Sequence, residues 1–369
     1  MTHAQHARDA TGAVSLRDRT LALIRERWDL VALVALAVAP LVVPALGGAL
    51  GGQVTTLFIY CILALGLNVM VGYTGLVHLG IAAFFGIGAY LFAILTVPMY
   101  PFQMRFVTAA TLSVLGTAGI GLALGAPTLR LRGDYLAIVT LGFGEVVKVT
   151  LRNLEQITGG MKGLNPVPPP GAGVKLGSID LGLAFAIDPR WFYYLALVSL
   201  VAVVVGMRRL ENSRLGRAWV AVREDELAAS AMGISATRVK LSAFAMSSAV
   251  AGLAGCLYAA SLSTTADPNA YDFNRSIMVL CAVILGGLGS IPGTLLGVAL
   301  LVGFDTVVAP WADSAIQQWN INPTGSSLLS FSGWRLAIFG LALVLVMRYR
   351  PEGLVPSRRL AAELHEVHP

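Results

Sequence analysis

Long apolar runs recur along most of this chain, and short polar stretches separate them. A helix that crosses a bilayer needs about 20 mostly apolar residues, and the runs approach that length. The pattern predicts an all-α polytopic membrane protein with about ten transmembrane helices, some of them broken at glycine. The predicted spans cover residues 30–47, 53–71, 76–97, 106–126, 134–152, 190–207, 241–262, 275–288, 291–309 and 334–348.

Composition supports a membrane protein. The mean hydropathy is +0.74, and only 12% of the 369 residues are charged, which is about half the share in soluble domains. The three cysteines lie apart inside apolar runs, which disfavours a disulfide framework or a metal site. Residues 1–29 mix both charge signs and lack a cleavage pattern, so we expect no signal peptide.

The basic residues predict the orientation. Cytoplasmic loops of membrane proteins are enriched in Lys and Arg, and most of the 26 such residues are cytoplasmic if the N-terminus is. Ten crossings then make both termini cytoplasmic, and the net charge of +6 reflects topology instead of nucleic-acid binding. The predicted domains are a cytoplasmic N-terminal tail (1–29), a transmembrane domain (30–348) containing a cytoplasmic loop (208–240), and a cytoplasmic C-terminal tail (349–369).

The loop 208–240 has the features of a short helix. The acidic residues 224–226 favour a helix N-terminus. Apolar residues between 227 and 232 follow at helical spacing on one face, and Gly233 is the residue type that most often ends a helix. Two interpretations are open: an ordinary juxtamembrane helix, or a docking helix for a cytoplasmic partner.

Five stretches of sequence resemble one known family. They are "GYTGLVHLGIAAFFGIGAY" (72–90), "LRLRGDYLAIVTLGFGEVVK" with "TGGMKGL" (129–148, 158–164), "GRAWVAVREDELAASAMGI" followed by "KLSAFAMSSAVAGLAGCLYA" (216–234, 240–259), "ILGGLGSIPGTLLG" (284–297) and "RPEGLVP" (350–356). In this order they are similar to LivM-type permeases of branched-chain amino-acid ABC transporters, over roughly residues 30–356. The resemblance implies an importer permease in the bacterial inner membrane that moves branched-chain or related amino acids into the cell.

The resemblance also implies partners and a coupling role. The partners are a second, LivH-like permease subunit, two ATP-binding subunits and a periplasmic substrate-binding protein, with membrane lipid around the spans. In such importers a short cytoplasmic coupling helix fits a groove in the ATP-binding subunit. By resemblance this role falls to Arg217–Gly233, with Arg217, Arg223, Glu224, Asp225, Glu226 and Gly233 as the ATPase-coupling residues.

No motif predicts catalysis in this chain. The glycine clusters lack the P-loop pattern, and the dinucleotide-binding, serine-hydrolase and metalloprotease signatures are missing from the sequence. We therefore predict that the chain is not an enzyme and binds no metal or cofactor, and that ATP is used by the partner subunits. We expect His78 to be a packed polar residue at a helix end.

Glycine interruptions at 72–88 and 286–297 indicate broken helices around a substrate pathway. The candidate pathway residues are Gly80, Gly86, Gly88, Glu145, Gly286, Gly287 and Gly289. Small residues also let helices pack closely in lipid, and this interpretation is equally open. Glu145 lies three positions before Lys148, which favours their mutual pairing over recognition of a zwitterion.

Further alternatives concern the outer loop and the function. The Pro- and Gly-rich outer loop 153–189 disfavours regular structure. By resemblance it faces the substrate-binding protein, although a passive cover is also open. A urea or short-amide permease of the same group is the second function considered. An ion-coupled secondary transporter is the third, but it leaves the docking-type loop unexplained.

Overall fold

The computed structural model describes residues 49–128, 134–171, 175–176, 179–180, 185, 188–265, 267–318, 333–350 and 353–355. The predicted span 30–47, the N-terminal tail and most of the C-terminal tail lie outside these residues. The described residues from 52 onwards belong to one compact unit, and residues 49–51, at the beginning of the first helix, belong to a separate one.

The described chain is mainly α-helical. The helices are α1 (Ala49–Asn68), α2 (Ile81–Thr96), α3 (Phe106–Thr128), α4 (Asp134–Asn153), α5 (Glu155–Thr158), α6 (Pro189–Glu211), α7 (Arg214–Glu224), α8 (Glu226–Ala231), α9 (Ala236–Leu262), α10 (Phe273–Gly286), α11 (Ile291–Gly303), α12 (Ala309–Gln318) and α13 (Arg335–Tyr349). Two π-helical turns (Val69–Tyr73, Phe304–Val308) extend α1 and α11, and two 3₁₀ turns cover Gly160–Lys162 and Pro268–Tyr271. Two antiparallel two-residue strands, β1 (Lys175–Leu176) and β2 (Ile179–Asp180), interrupt the outer loop.

The membrane-protein interpretation is confirmed by five helical stretches of the described chain that are long and apolar enough to cross a bilayer. They are Gly51–Tyr73, Phe106–Thr128, Arg190–Glu211, Ala236–Leu262 and Ile291–Ser314, with shorter apolar helices at Ile81–Thr96 and Ala337–Tyr349. Each overlaps a predicted span. Helix α4 also coincides with one, and it carries several charged residues. The count of ten spans and the side on which each terminus lies stay predictions.

Two predicted spans have different boundaries from those expected. The span 76–97 is helical only from Ile81, because residues 74–80 form an irregular segment that includes Gly75 at φ 68°. A glycine adopts this left-handed backbone without the strain that a Cβ adds. The span 291–309 continues beyond its predicted end, since the second π-helical turn joins α11 to α12.

Helix α9 lies at the centre of the described unit and packs against α2 and α3. Its most apolar stretch is 72% buried, whereas that of α3 is 28% buried. Small residues allow the close approach: Gly88 faces Gly252, and a Cβ at Gly252 would lie 2.8 Å from Thr117. Helix α3 exposes apolar side chains such as Val107 and Leu115 on its other side. Such a surface suits lipid or another apolar helix.

Helices α10 and α11 form an antiparallel hairpin whose turn is residues 287–290. Gly287 has φ 120° and Gly289 has φ 72°, so both turn positions favour glycine. The amides of Leu354 and Val355 donate to the carbonyls of Leu285 and Gly286, at 3.0 and 2.9 Å. These bonds satisfy the last carbonyls of α10. Part of the predicted C-terminal tail is therefore built into the helical unit.

Candidate functional site

The candidate coupling segment consists of two helices, α7 and α8, so the prediction of one helix over Arg217–Gly233 is wrong. Asp225 separates them with extended backbone (φ −153°, ψ 110°), and its carboxylate accepts from the amides of Leu227 at 2.8 Å and Ala228 at 3.0 Å. A residue that caps a helix N-terminus is itself non-helical, which explains the break. Gly233 ends the segment at φ 82°, as its residue type predicted.

Helix α7 is fixed to the membrane helices through Trp219, which is 1% exposed. Its indole nitrogen donates to the carbonyl of Val239 at 3.2 Å and to the hydroxyl of Ser242 at 2.9 Å. Its ring stacks on Tyr73, with 6.3 Å between centroids. These contacts join α7 to the first turns of α9 and to the π-helical turn that extends α1.

Charged residues of the segment interact mostly within the chain. Arg217 donates to the carbonyl of Asn212 at 2.8 Å, and the Glu226 carboxylate lies 2.7 Å from the ammonium of Lys240. Glu224 is exposed. Arg217 and Glu226 thus bond within the chain, and the role of these residues as partner contacts stays a prediction.

Apolar side chains point away from the protein on α8. Leu227 is 79% exposed and Met232 is 84% exposed, while Ala229 on the opposite side is 5% exposed. Ala228 is also exposed. We call Leu227, Ala228 and Met232 the docking face. The sequence placed them on one face, but it gave no sign that this apolar face is exposed together with the acidic residues Glu224 and Asp225.

A chain of polar contacts runs from α7 to the hairpin turn. Arg223 donates to the carbonyl of Gly72 in the first π-helical turn. A Cβ at Gly72 would lie 2.5 Å from the amide of Gly289. Because Gly72 has no side chain, the Gly289 amide can approach closely, and it donates to the side-chain oxygen of Asn68 at 2.9 Å. The two glycine interruptions predicted from sequence are therefore in direct contact.

The candidate pathway glycines lie where backbone and side chains approach closely. A Cβ at Gly80 would meet the carbonyl of Thr140, and one at Gly86 would lie 2.8 Å from the ring of Tyr271. Gly88 faces Gly252 in the same way. The others, Gly286, Gly287 and Gly289, belong to the hairpin end described above. These positions support the packing interpretation, and their role in a pathway stays a prediction.

The remaining polar candidates are packed or paired. Glu145 lies 2.5 Å from Lys148 on α4, so the predicted ion pair is present. His78 is 1% exposed, and its ring lies 5.6 Å from the rings of both Phe84 and Phe244. Within the described residues, no group of three or more His, Cys, Asp or Glu side chains is placed to hold a metal ion.

The beginning of the loop 153–189 is attached to the C-terminal end of α9. The amide of Leu164 donates to the hydroxyl of Thr265, and the amide of Val167 donates to the carbonyl of Ser263, both at 2.9 Å. Nearby, the hydroxyl of Tyr271 donates to the carbonyl of Thr265. Burial raises the pKa of Tyr271 well above its ordinary value, so it stays a neutral donor. This part of the loop is ordered despite its composition.

Comparisons with known proteins identify the family. The family model described as branched-chain amino acid transport system / permease component matches residues 49–347. The high-affinity branched-chain amino acid transport system permease protein LivM of Salmonella typhimurium (strain LT2) is 39% identical over 319 residues, which cover 83% of this chain and 69% of the relative. The protein of the same name from Escherichia coli (strain K12) is 38% identical over 354 residues, covering 91% and 76%.

A more distant relative is the probable branched-chain amino acid transport permease protein LivM of Methanocaldococcus jannaschii, 27% identical over 261 residues, or 67% of this chain and 68% of the relative. No solved structure matches the chain. Because the family model spans most of the chain and the first two relatives match along it, the chain belongs to the permease components of branched-chain amino acid transport systems.

Proposed function

We propose that this chain is the LivM-like permease subunit of an ABC importer that moves branched-chain amino acids across the inner membrane into the cell. Two ATP-binding subunits hydrolyse the ATP, a LivH-like subunit is the second permease, and a periplasmic protein delivers the substrate. The printed names of the relatives support the substrate class. In this proposal the chain crosses the membrane ten times, and both termini and the loop 208–240 are cytoplasmic.

The observation that supports the coupling role is that the docking face lies on a segment that contacts hold firmly to the membrane helices. Trp219 anchors α7, and the Glu226–Lys240 pair holds α8. The exposed side chains of Leu227 on α8 and of Met232 directly after it form an apolar surface that suits a partner. A groove in an ATP-binding subunit therefore receives α8 through apolar contacts, and the internal hydrogen bonds transmit its movement.

The contact chain gives a route for that movement. Closure of the ATP-binding subunits displaces α7 and α8, and Arg223 transfers the displacement to the π-helical turn at Gly72. Asn68 then transfers it to Gly289 in the turn of the α10–α11 hairpin. A π-helical turn inside a membrane helix is a common functional feature, because its backbone deviates locally from the helix. The hairpin is the element that changes position in the membrane.

The function is tested by reconstituting the four kinds of subunit in liposomes. We expect uptake of leucine, isoleucine and valine that requires ATP and the binding protein. Import of urea, with no response to aliphatic amino acids across candidate binding proteins, would favour the short-amide alternative and contradict the proposal.

The route is tested with Asn68→Leu, which removes the acceptor for the Gly289 amide at similar side-chain size. We expect uptake to fall about tenfold while ATP hydrolysis continues, because a buried amide without its partner destabilises the coupled geometry. The matched control is Asn153→Leu, since Asn153 is an exposed asparagine at the end of α4. Normal uptake by the Asn68 variant would contradict the route and leave the docking face untouched.

A further inference from the structure

A cleft of about 180 Å³ lies at the end of α9 that is farthest from α7 and α8. Its wall includes Asn269, Asp272, Arg275, Met278, Asp305 and Phe339. Helix α9 has 27 residues, which corresponds to about 40 Å at 1.5 Å per residue. The cleft and the docking face are therefore separated by roughly the thickness of a membrane, and in the proposed topology the cleft opens on the outer side.

The cleft contains a firmly held cation. The guanidinium carbon of Arg275 lies 5.5 Å from the ring centre of Tyr60 and 5.8 Å from that of Tyr258. One of its nitrogens donates to the hydroxyl of Tyr60. Aromatic faces attract a guanidinium at such distances, and the planar group has five N–H donors. Donors thus remain for an anion in the cleft, and the geometry suits a carboxylate that binds two of them.

Two carboxylates from separate elements share the wall with this cation. Asp272 precedes α10, where it accepts from the amide of Arg275 at 3.1 Å and from the side chain of Asn274 at 2.8 Å. Asp305 comes from the π-helical turn after α11. A carboxylate has about four acceptor sites, so Asp272 keeps capacity for a further donor. Asp272 can therefore receive an ammonium group, and Asp305 adds a second negative charge to the wall.

Another part of the cleft wall is apolar. Met278 is 9% exposed, and Phe339 is 3% exposed. Met278 follows Arg275 by three positions on α10, so the cation and the apolar wall lie on the same helical face. A site of this kind, with a fixed cation, two anions and an apolar wall, is complementary to a zwitterion with an aliphatic side chain.

We infer that this cleft is a binding station for the amino acid on its way from the binding protein into the membrane. Arg275 binds the α-carboxylate, Asp272 binds the ammonium in the negative field of Asp305, and Met278 and Phe339 contact the side chain. The identity of the ligand rests on the proposed function. The station lies at the open end of the α10–α11 hairpin, and the turn at Gly289 is at the other end. A movement of the hairpin turn therefore changes the site.

The test is protection of an introduced thiol in the complete reconstituted transporter. Asn269→Cys places an exposed thiol at the cleft, and Met99→Cys places one on the loop after α2, at a residue that is 71% exposed. The native cysteines, Cys61, Cys256 and Cys281, are buried. A membrane-impermeant thiol reagent is expected to label the Asn269→Cys variant several-fold more slowly in millimolar leucine, and to label the Met99→Cys variant at an unchanged rate.

Two leucine analogues identify the groups that bind. Leucinol lacks the carboxylate and 4-methylpentanoate lacks the ammonium, so each is expected to protect the thiol at position 269 less than leucine does. Arg275→Gln is expected to abolish protection and to lower uptake at least about tenfold, because the substrate loses a hydrogen-bonded charge partner. Asp305→Asn is expected to weaken the protection of the thiol by leucine. Arg275→Lys keeps the positive charge and is expected to retain part of the protection that Arg275→Gln abolishes. Stimulation of ATP hydrolysis by the binding protein shows that each variant is assembled.

Each outcome decides one proposal. A transporter that imports leucine while leucine leaves labelling at position 269 unchanged overturns the binding station alone. Equal protection by leucine and by both analogues overturns the zwitterion assignment. If leucine protects the thiol in a transporter that imports no aliphatic amino acid, the proposed function is overturned and the binding station is supported.

Discussion

The two ends of α9 use their charged residues in opposite ways. At the docking end, Arg223 and Glu226 bond to groups of their own chain, and the apolar Leu227 is turned outwards. At the cleft end, Arg275 and Asp305 line an open cavity, and aromatic rings hold the guanidinium from behind. Charge therefore gives rigidity at one end, and at the other end it lines the cleft that we propose as a binding station. The charges most visible in the sequence are at the rigid end.

The largest predicted effect concerns the anchor of the docking end. Trp219→Ala empties a fully buried site and removes two hydrogen bonds, so we expect it to lower the free energy of unfolding by about 3–5 kcal/mol. Thermal unfolding of the purified permease complex measures the loss. The control is Trp311→Ala, because Trp311 is 71% exposed, and exposed substitutions usually change stability by about 0.5 kcal/mol or less. Equal losses for both variants would show that Trp219 is no special anchor.

The second prediction separates apolar docking from charged docking. Leu227→Glu with Met232→Glu places charge on the docking face, and we expect binding of the ATP-binding subunits to weaken by roughly 2 kcal/mol or more, since buried anchors dominate interfaces. Co-purification and uptake should both fall. The matched control is the exchange Leu227→Met with Met232→Leu, which keeps the face apolar and should assemble normally. Normal assembly of the double-Glu variant would refute the docking face.

The sequence allowed prediction of features that depend on local chemistry. Hydropathy located the spans, the acidic residue at 225 marked a helix N-terminus, and Gly233 marked the end of the segment. The order of the five motifs identified the family. These signals work because a bilayer demands long apolar helices and because helix ends need particular side chains.

Features that depend on distant contacts were not predictable from a single chain. Arg223 bonds to a carbonyl 151 positions away, and Trp219 bonds to α9 across 23 positions. Both look like ordinary members of an amphipathic segment in the sequence. The cleft joins residues near 272, 305 and 339, each in a different element. No local pattern indicates that such residues meet.

The third prediction tests whether Asp225 serves the helix or a partner. Asp225→Ala removes the cap of α8 and should cost about 1 kcal/mol. Asn is also a good capping residue, so Asp225→Asn should keep stability and uptake near the original values. Uptake that falls equally in the Asn and Ala variants would show that the charge itself contacts a partner. Glu224→Ala is the control on the neighbouring exposed acid, and we expect little change in its stability.

The smallest predicted effect concerns the Glu226–Lys240 pair, which lies at the same end of α9. The Lys240 side chain is 11% exposed and that of Glu226 is 43% exposed, so water screens the pair only in part. A double-mutant cycle of Glu226→Gln and Lys240→Met should give a coupling energy of about 0.2–1 kcal/mol, as is typical of partly exposed ion pairs. Glu226→Gln alone should cost more than Lys240→Met alone, because it leaves an ammonium largely buried without its counter-charge. Thermal unfolding of the three variants measures the cycle. A larger stability loss for Lys240→Met than for Glu226→Gln would show that the Lys240 ammonium reaches water. The ion pair would then contribute little to the rigidity of the docking end.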